Sequence, residues 1–256
     1  MRRVLRAIGT LVGAAILIVA GTAVASAQGT AARAYTCTGG DVPSGNYTSL
    51  IVTGNCAVAD GAMINVSGNV YVAANAVLDA QSAPATITVG HNVTAMRGSL
   101  LGLGCQPPSY TGNSAHPCTV DPDGHSTITV RGNVTAFGAN TVLLNGISVT
   151  GNVTLAGGGG EIPWSIKNNT IGRNLTVTGQ TAIWVGVLFN QVGGNVTLAD
   201  ITVTDPDPVP RVFIVRNTVR HNLVCVGLRP GVSGGFIPGE VNTVGGRAIG
   251  QCAALV

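Results

Sequence analysis

The sequence is poor in charge. Only 9% of its 256 residues are Asp, Glu, Lys or Arg, and Lys167 is the sole lysine. Thirteen Lys and Arg stand against ten Asp and Glu, and Arg2, Arg3 and Arg6 account for the whole excess. The rest of the chain is formally neutral, which excludes a basic field for nucleic acid or anionic lipid. Helical periodicity is also missing: past the N-terminal segment, no window repeats apolar residues at a 3.6-residue spacing. Nor does any later stretch read as transmembrane. Scarce charge is not a scarce core, however. Apolar residues make up 45% of the chain, mostly Val, Ile, Leu and Ala, too many for a disordered composition.

The N-terminal segment joins a basic start to a mostly apolar stretch from Ala7 to Ala20, followed by Ala25-Ser26-Ala27. That order predicts a Sec-type signal peptide over residues 1–27, cleaved after Ala27. The mature chain, residues 28–256, is then expected as one secreted domain with no membrane span. Six cysteines in an exported chain imply disulfides. Each cysteine stands nearest in sequence to one mate, so local pairing is expected: Cys37 with Cys56, Cys105 with Cys118, and Cys225 with Cys252. The excess of Arg over Lys, with abundant Ala, Gly and Val, fits a GC-rich bacterial genome.

What the chain has in quantity is one phrase. Gly68-Asn69-Val70-Tyr71 returns as His91-Asn92-Val93-Thr94, Gly132-Asn133-Val134-Thr135 and Gly151-Asn152-Val153-Thr154. It returns again as Arg173-Asn174-Leu175-Thr176, Gly194-Asn195-Val196-Thr197 and His221-Asn222-Leu223-Val224. The steps from Asn to Asn are 23, 41, 19, 22, 21 and 27 residues. A period near 20 in β-type residues predicts a solenoid with one coil per repeat. Thr127-Ile-Thr-Val130, Asn133-Val-Thr-Ala136 and Thr141-Val-Leu-Leu144 are three short apolar-rich runs separated by Gly- and Asn-rich corners. The expected fold is therefore all-β: a right-handed parallel β-helix of about 20–23 residues and three short strands per coil. Within the phrase, the residues one and three places after Asn are apolar and point inward, whereas Thr94, Thr135, Thr154, Thr176 and Thr197 between them point out. The asparagines suit a repeated corner and can stack as a ladder. Two insertions interrupt the period, at 105–125 and 205–210. They are expected to leave different corners of the coil, which argues against their building one site.

Gly90-His91-Asn92-Val93, Leu101-Gly-Leu-Gly-Cys105 with the loop closed by Cys118, and Asn169-Thr-Ile-Gly-Arg-Asn-Leu175 together resemble a family of secreted actinobacterial β-helix proteins. The end of the chain is similar too: Asn222-Leu-Val-Cys225, a Gly/Pro stretch, then Val244-Gly-Gly-Arg-Ala-Ile-Gly-Gln-Cys252. The resemblance covers nearly the whole expected mature chain and implies export and a right-handed parallel β-helix. It implies no activity, because the family is uncharacterised. Bactofilins share a similar Gly-Asn-Val coil but lack a cleaved leader and cysteine pairs.

Chemistry is thinner than architecture. A β-helix lyase needs carboxylates for calcium and a cationic base on neighbouring coils, and a glycosidase needs paired carboxylates. The acids here are mostly isolated and none recurs at the coil period, so catalytic residues and cofactors are both expected to be none. Asp121-Pro-Asp123-Gly124 weakly resembles the start of a calcium loop, but Asp-Pro is equally turn chemistry. Arg131, Arg173, Arg220, His91 and His221 occupy the corner before Asn and could form a sparse strip for an anion or glycan. The threonine column raises ice binding. An ice-binding surface of this shape needs a second column, and here Ala73, Met96, Phe137, Ala156, Thr178 and Ala199 are irregular in size. The expectation is an exported, non-enzymatic structural or binding protein, with cell-wall or environmental polysaccharide as partner. A carbohydrate-active enzyme is the alternative.

Overall fold

The computed structural model describes residues 32–205, 212–234 and 241–256. The expected leader, the body of the 205–210 insertion with Asp207, and Glu240 lie outside them. The described residues from Ala32 onward form one compact unit.

The chain winds as a right-handed parallel β-helix with three faces. Every ladder between named strands is parallel. Face one carries the repeated phrase: Val70–Val72, Val93–Ala95, Val134–Phe137, Val153–Ala156, Leu175–Thr178, Val196–Ala199 and Leu223–Val226 stack in that order. Arg33–Cys37 stacks on Gly45–Val52 at one end, and Ala248–Gly250 closes the other. Face two is a sheet of nine strands that includes Leu100–Leu103, Thr141–Asn145, Trp164–Lys167, Val185–Leu188 and Val212–Val215. Face three runs through Ala62–Val66, Ala85–Val89 and Thr127–Val130, then narrows to two-residue strands such as Ser148–Val149 and Thr170–Ile171.

The period-two reading of face one holds residue by residue. Val70, Val93, Val134, Val153, Leu175, Val196 and Leu223 are buried in register, as are Val72, Ala95, Ala136, Leu155, Val177, Leu198 and Cys225. Their side chains share one apolar interior with the inward residues of the other faces. The enclosed space left in that interior, about 20 Å3 among Leu50, Val93, Leu103 and their neighbours, is wholly apolar and too small for any ligand.

Two asparagine ladders hold the corners. The one expected from the repeat runs from Asn69 to Asn222 between faces three and one. Each Oδ1 accepts from both the backbone N–H and the Nδ2 of the next coil's asparagine, as at Asn133–Asn152 (2.8 and 3.2 Å) and Asn195–Asn222 (3.0 and 3.1 Å). One coil's amide thus replaces the backbone pairing that a sharp bend interrupts. Glycine often precedes it, and at Gly172 a Cβ would overlap the Thr150 carbonyl of the coil below.

The second ladder, Asn169, Asn190, Asn217 and Asn242, lies between faces two and three and is fully buried. Here each Nδ2 also donates to a strand carbonyl, as from Asn190 to Ile166 (2.8 Å) and to Asn217 Oδ1 (2.9 Å). Asn168, Phe189 and Arg216, the residues just before three of its members, take left-handed backbone at φ 58°, 57° and 49°. That strain turns the next side chain into the interior.

The three disulfides pair as the spacing predicts: Cys37–Cys56, Cys105–Cys118 and Cys225–Cys252. The first joins the opening coils. The last ties the one-turn helix Gln251–Ala254 across the C-terminal end, where Gln251 bonds Leu228 through both ends of its amide (2.8 Å each). This plug covers apolar residues that an open end would leave in water.

Candidate functional site

The threonine column exists as a geometric fact: Thr94, Thr135, Thr154, Thr176 and Thr197 are direct register partners on face one. It is flanked by no second regular column. Phe137 projects half-exposed from the neighbouring row, so the face is not flat beyond its threonines. The basic residues before Asn share one corner, in two adjacent stacks in which glycine is the commoner occupant. Arg131 and Arg220 belong to a stack with Gly172, Gly193 and Gly245, and His91, Arg173 and His221 to a stack with Gly132, Gly151 and Gly194. The structure aligns these side chains and brings none of them together. Asp121 serves a turn, its Oδ1 accepting from Asp123 N–H (3.3 Å) and its carbonyl from Gly124 N–H (3.1 Å). Among the described residues no three His, Cys, Asp or Glu side chains are grouped to hold a metal.

The site lies instead on face two, and it overturns one expectation. The insertions leave different corners, as expected, but that does not keep their described residues from lining one groove. The 105–125 insertion leaves the trailing end of Leu100–Leu103, and the 205–210 insertion precedes the leading end of Val212–Val215. His116 of the first insertion and Asp205, the one described residue of the second, line a single open groove of about 590 Å3. Sequence reasoning had taken the edges of a coil as unrelated corners, whereas two corners always bound a common face.

The floor is the outward row of face two. Leu143, Ser165 and Gly186 are successive register partners, and Lys167 stands two residues beyond Ser165 on the same side. The leading wall comes from segments that stack coil on coil before their strands: Glu161, Ile162 and Pro163, then Ile183 and Trp184, then Asp205. Trp164 N–H donates to Trp184 O (2.9 Å) and Ile183 N–H to Gly160 O (3.1 Å), which fixes that stack. The Trp184 ring lies on Gly186, where any Cβ would overlap its Cη2. It also leans on Phe213, with ring centroids 5.4 Å apart. Phe213, Leu188 and Val215 form an apolar cluster outside the main interior. An indole so braced is a rigid, half-exposed platform.

The trailing wall is the 105–125 insertion, fastened to the sheet at several points. Lys167 Nζ donates to Ala115 O (2.8 Å). Asn168 Nδ2 donates to Ser114 O (2.9 Å), and Ser114 Oγ donates to Asn168 Oδ1 (2.7 Å). His116 and Gln106 exchange backbone hydrogen bonds inside the loop (2.7 and 3.1 Å), beside the Cys105–Cys118 bridge. Tyr110 stacks on His125 at 4.7 Å.

Burial lowers the His116 pKa, the Lys167 charge lowers it further, and Asp79 opposes both. Burial also lowers the Lys167 pKa. The groove thus holds one half-buried ammonium beside an imidazole kept neutral, with carboxylates at the far wall. Sequence reasoning missed Trp184, Ser165, His116 and the use of Lys167. The usable signals were rarity ones: a lone lysine, and a second tryptophan one coil after Trp164.

No protein-family model, curated protein or solved structure matches the chain. Among the described residues no helix is long and apolar enough to cross a membrane.

Proposed function

We propose that the protein is exported and acts outside the cell as a non-enzymatic binding element, with cell-wall or environmental polysaccharide held in the groove of face two. Three disulfides and the leader-like N-terminal sequence support the extracellular setting. The resemblance to secreted actinobacterial β-helix proteins points the same way and rests on the motifs quoted for it. The observation that carries the binding reading is Trp184. A braced aromatic ring, half-open to a groove whose walls carry hydroxyl, ammonium and carboxylate groups, suits a sugar ring, which offers C–H groups on its face and hydroxyls at its edge. The test is a glycan array probed with the disulfide-bonded protein and with Trp184→Ala. Retention of the parent protein on a defined glycan set, lost in the variant, is expected; equal retention of the two removes the groove from the function.

One observation favours a second reading. Glu161 and Asp205 both line the groove, and a carboxylate pair is the minimum for glycoside hydrolysis. Turnover of any plant or bacterial polysaccharide, assayed with and without Ca2+, and its loss in Glu161→Gln, would replace the non-enzymatic reading with a carbohydrate-active enzyme.

A further inference from the structure

We infer that the groove selects a sugar bearing a carboxylate, which it seats between the Trp184 ring and the Lys167 ammonium; the inference rests on the binding reading above. Lys167 is the only lysine in the chain, and it lines the same groove as the half-exposed Trp184. One of its three N–H donors goes to Ala115 O (2.8 Å), and no carboxylate of the described residues forms an ion pair with it. A half-buried ammonium without a counter-ion is costly. A ligand carboxylate on its two remaining donors would supply that counter-ion through charge-assisted hydrogen bonds.

Ser165 adds an independent pointer. It is only 7% exposed, lines the groove, and its hydroxyl bonds to no described residue. It is the register partner of Gly186, over which the Trp184 ring lies, so an unused hydroxyl sits beside the aromatic platform. The ring lies level with Ser165, and from Ser165 to Lys167 the strand advances about 7 Å, two residue steps. That span matches one sugar ring with an exocyclic acid group: ring on Trp184, ring hydroxyl on Ser165, carboxylate on Lys167. Glu161 and Asp205 are on the leading wall, at the opposite end of the strand. Glu161 meets the hydroxyl-rich end of such a ligand and repels a reversed one. Neutral His116 adds no second charge and leaves Lys167 as the single cation for the carboxylate.

Carboxylated sugars come from uronic-acid polymers and from muramic acid in cell wall, and both present the same chemistry. Titration calorimetry of the disulfide-bonded protein should use four probes: a uronic-acid trisaccharide, its methyl ester, a muramic-acid disaccharide and a neutral hexose trisaccharide. At least one carboxylated probe should bind about tenfold or more tightly than the ester and the neutral sugar, with the gap narrowing as salt rises. The stronger carboxylated probe identifies the source. Lys167→Met should reduce the acid to the level of its ester, whereas Lys167→Arg should keep the preference.

Lys167 also fastens the loop, so the decisive readout is the acid-to-ester ratio within each variant. If Lys167→Met loses all binding, a retained ratio in Lys167→Arg supports the inference and a lost one refutes it. Equal binding of acid and ester by the parent protein, or a preference that survives Lys167→Met, overturns the inference while leaving the groove reading intact. Absence of binding by all four probes overturns both.

Discussion

Face one and face two are built by the same winding of the same chain, and they differ in what they repeat. Face one repeats its outward residue: five threonines stand in register, and every coil corner before them uses the same asparagine. Face two repeats only its inward residues. Its outward row reads Gly102, Leu143, Ser165, Gly186 and Phe213, with no two alike in volume or polarity except the glycines. The 105–125 insertion and Asp205 border face two. Repetition keeps the column standing, while departure from it gives a surface concavity, different side chains and a wall. Sites on solenoids collect where insertions gather on one side.

If face one is scaffold and face two is site, damage to their closures should separate. The Cys225–Cys252 bridge anchors the end plug to a face-one strand and closes 27 residues of chain, worth about 3 kcal/mol in the chain-entropy view. Cys105–Cys118 closes a loop of sequence separation 13 within the 105–125 insertion at the edge of face two. Cys225→Ser should therefore lower the melting temperature and raise aggregation more than Cys105→Ser, which should act on the groove wall first. Paired thermal scans with light scattering decide this. A larger drop from Cys105→Ser would mean that the insertion is part of the folding unit.

The two asparagine ladders sharpen the comparison next. Asn190→Ala removes the acceptor for Asn169 and the donors to Ile166 and Asn217 in a fully buried corner. It should cost about 3 kcal/mol, the sum of unmade buried bonds. Asn152→Ala, in the ladder that water can reach, should cost about 1 kcal/mol because solvent replaces the lost amide. Urea unfolding of both variants measures the gap, and equal losses would show that ladder position, not burial, sets the energy.

A smaller effect on stability but a large one on binding is expected from Gly186→Ala. The new methyl group collides with Trp184 and should tilt the platform, reducing glycan retention several-fold. Thr154→Ala on face one should alter neither binding nor stability by more than about 0.5 kcal/mol. Retention of glycan by Gly186→Ala would remove Trp184 from the reading.

The smallest effect concerns pH. The folded His116 has its pKa below the ordinary imidazole value. The unfolded chain therefore takes up a proton first as pH falls through about 6.5, and stability is lost from there down to the folded value. Above that window the group has no effect. Replacing the imidazole in His116→Asn should flatten the slope of stability against pH below about 6.5, read from melting temperatures. An unchanged slope would place the acid sensitivity elsewhere.

Much of the scaffold was legible because it is periodic. Val134, Thr135 and Ala136 alternate in sequence as they alternate in space, and seven copies of Gly-Asn-Val or a close variant leave little room for another register. The two end cysteine pairs were legible because adjacent coils bring residues about one period apart into contact, and Cys105–Cys118 because both cysteines fall within one insertion. The buried ladder was harder to read. Asn169-Thr-Ile, Asn190-Gln-Val, Asn217-Thr-Val and Asn242-Thr-Val share a pattern, but only four copies exist and the preceding residues Asn168, Phe189 and Arg216 differ in type. What they share is a left-handed backbone, which residue identity does not announce.

The sequence by itself determined a solenoid, its period, which residues fill its interior and which cysteines close its ends, because all of these follow from near neighbours and from a pattern repeated at one spacing. The groove was decided by tertiary structure alone. His116, Leu143, Glu161, Trp184 and Asp205 span five coils and both edges of one face. They line one groove because stacking sets successive strands about 4.8 Å apart, so that five coils span about 20 Å of one face, and because Lys167 and Asn168 hold the 105–125 insertion back against the sheet. Which side chains stand outward on that face, and how the insertion folds back, leave no periodic trace in the chain.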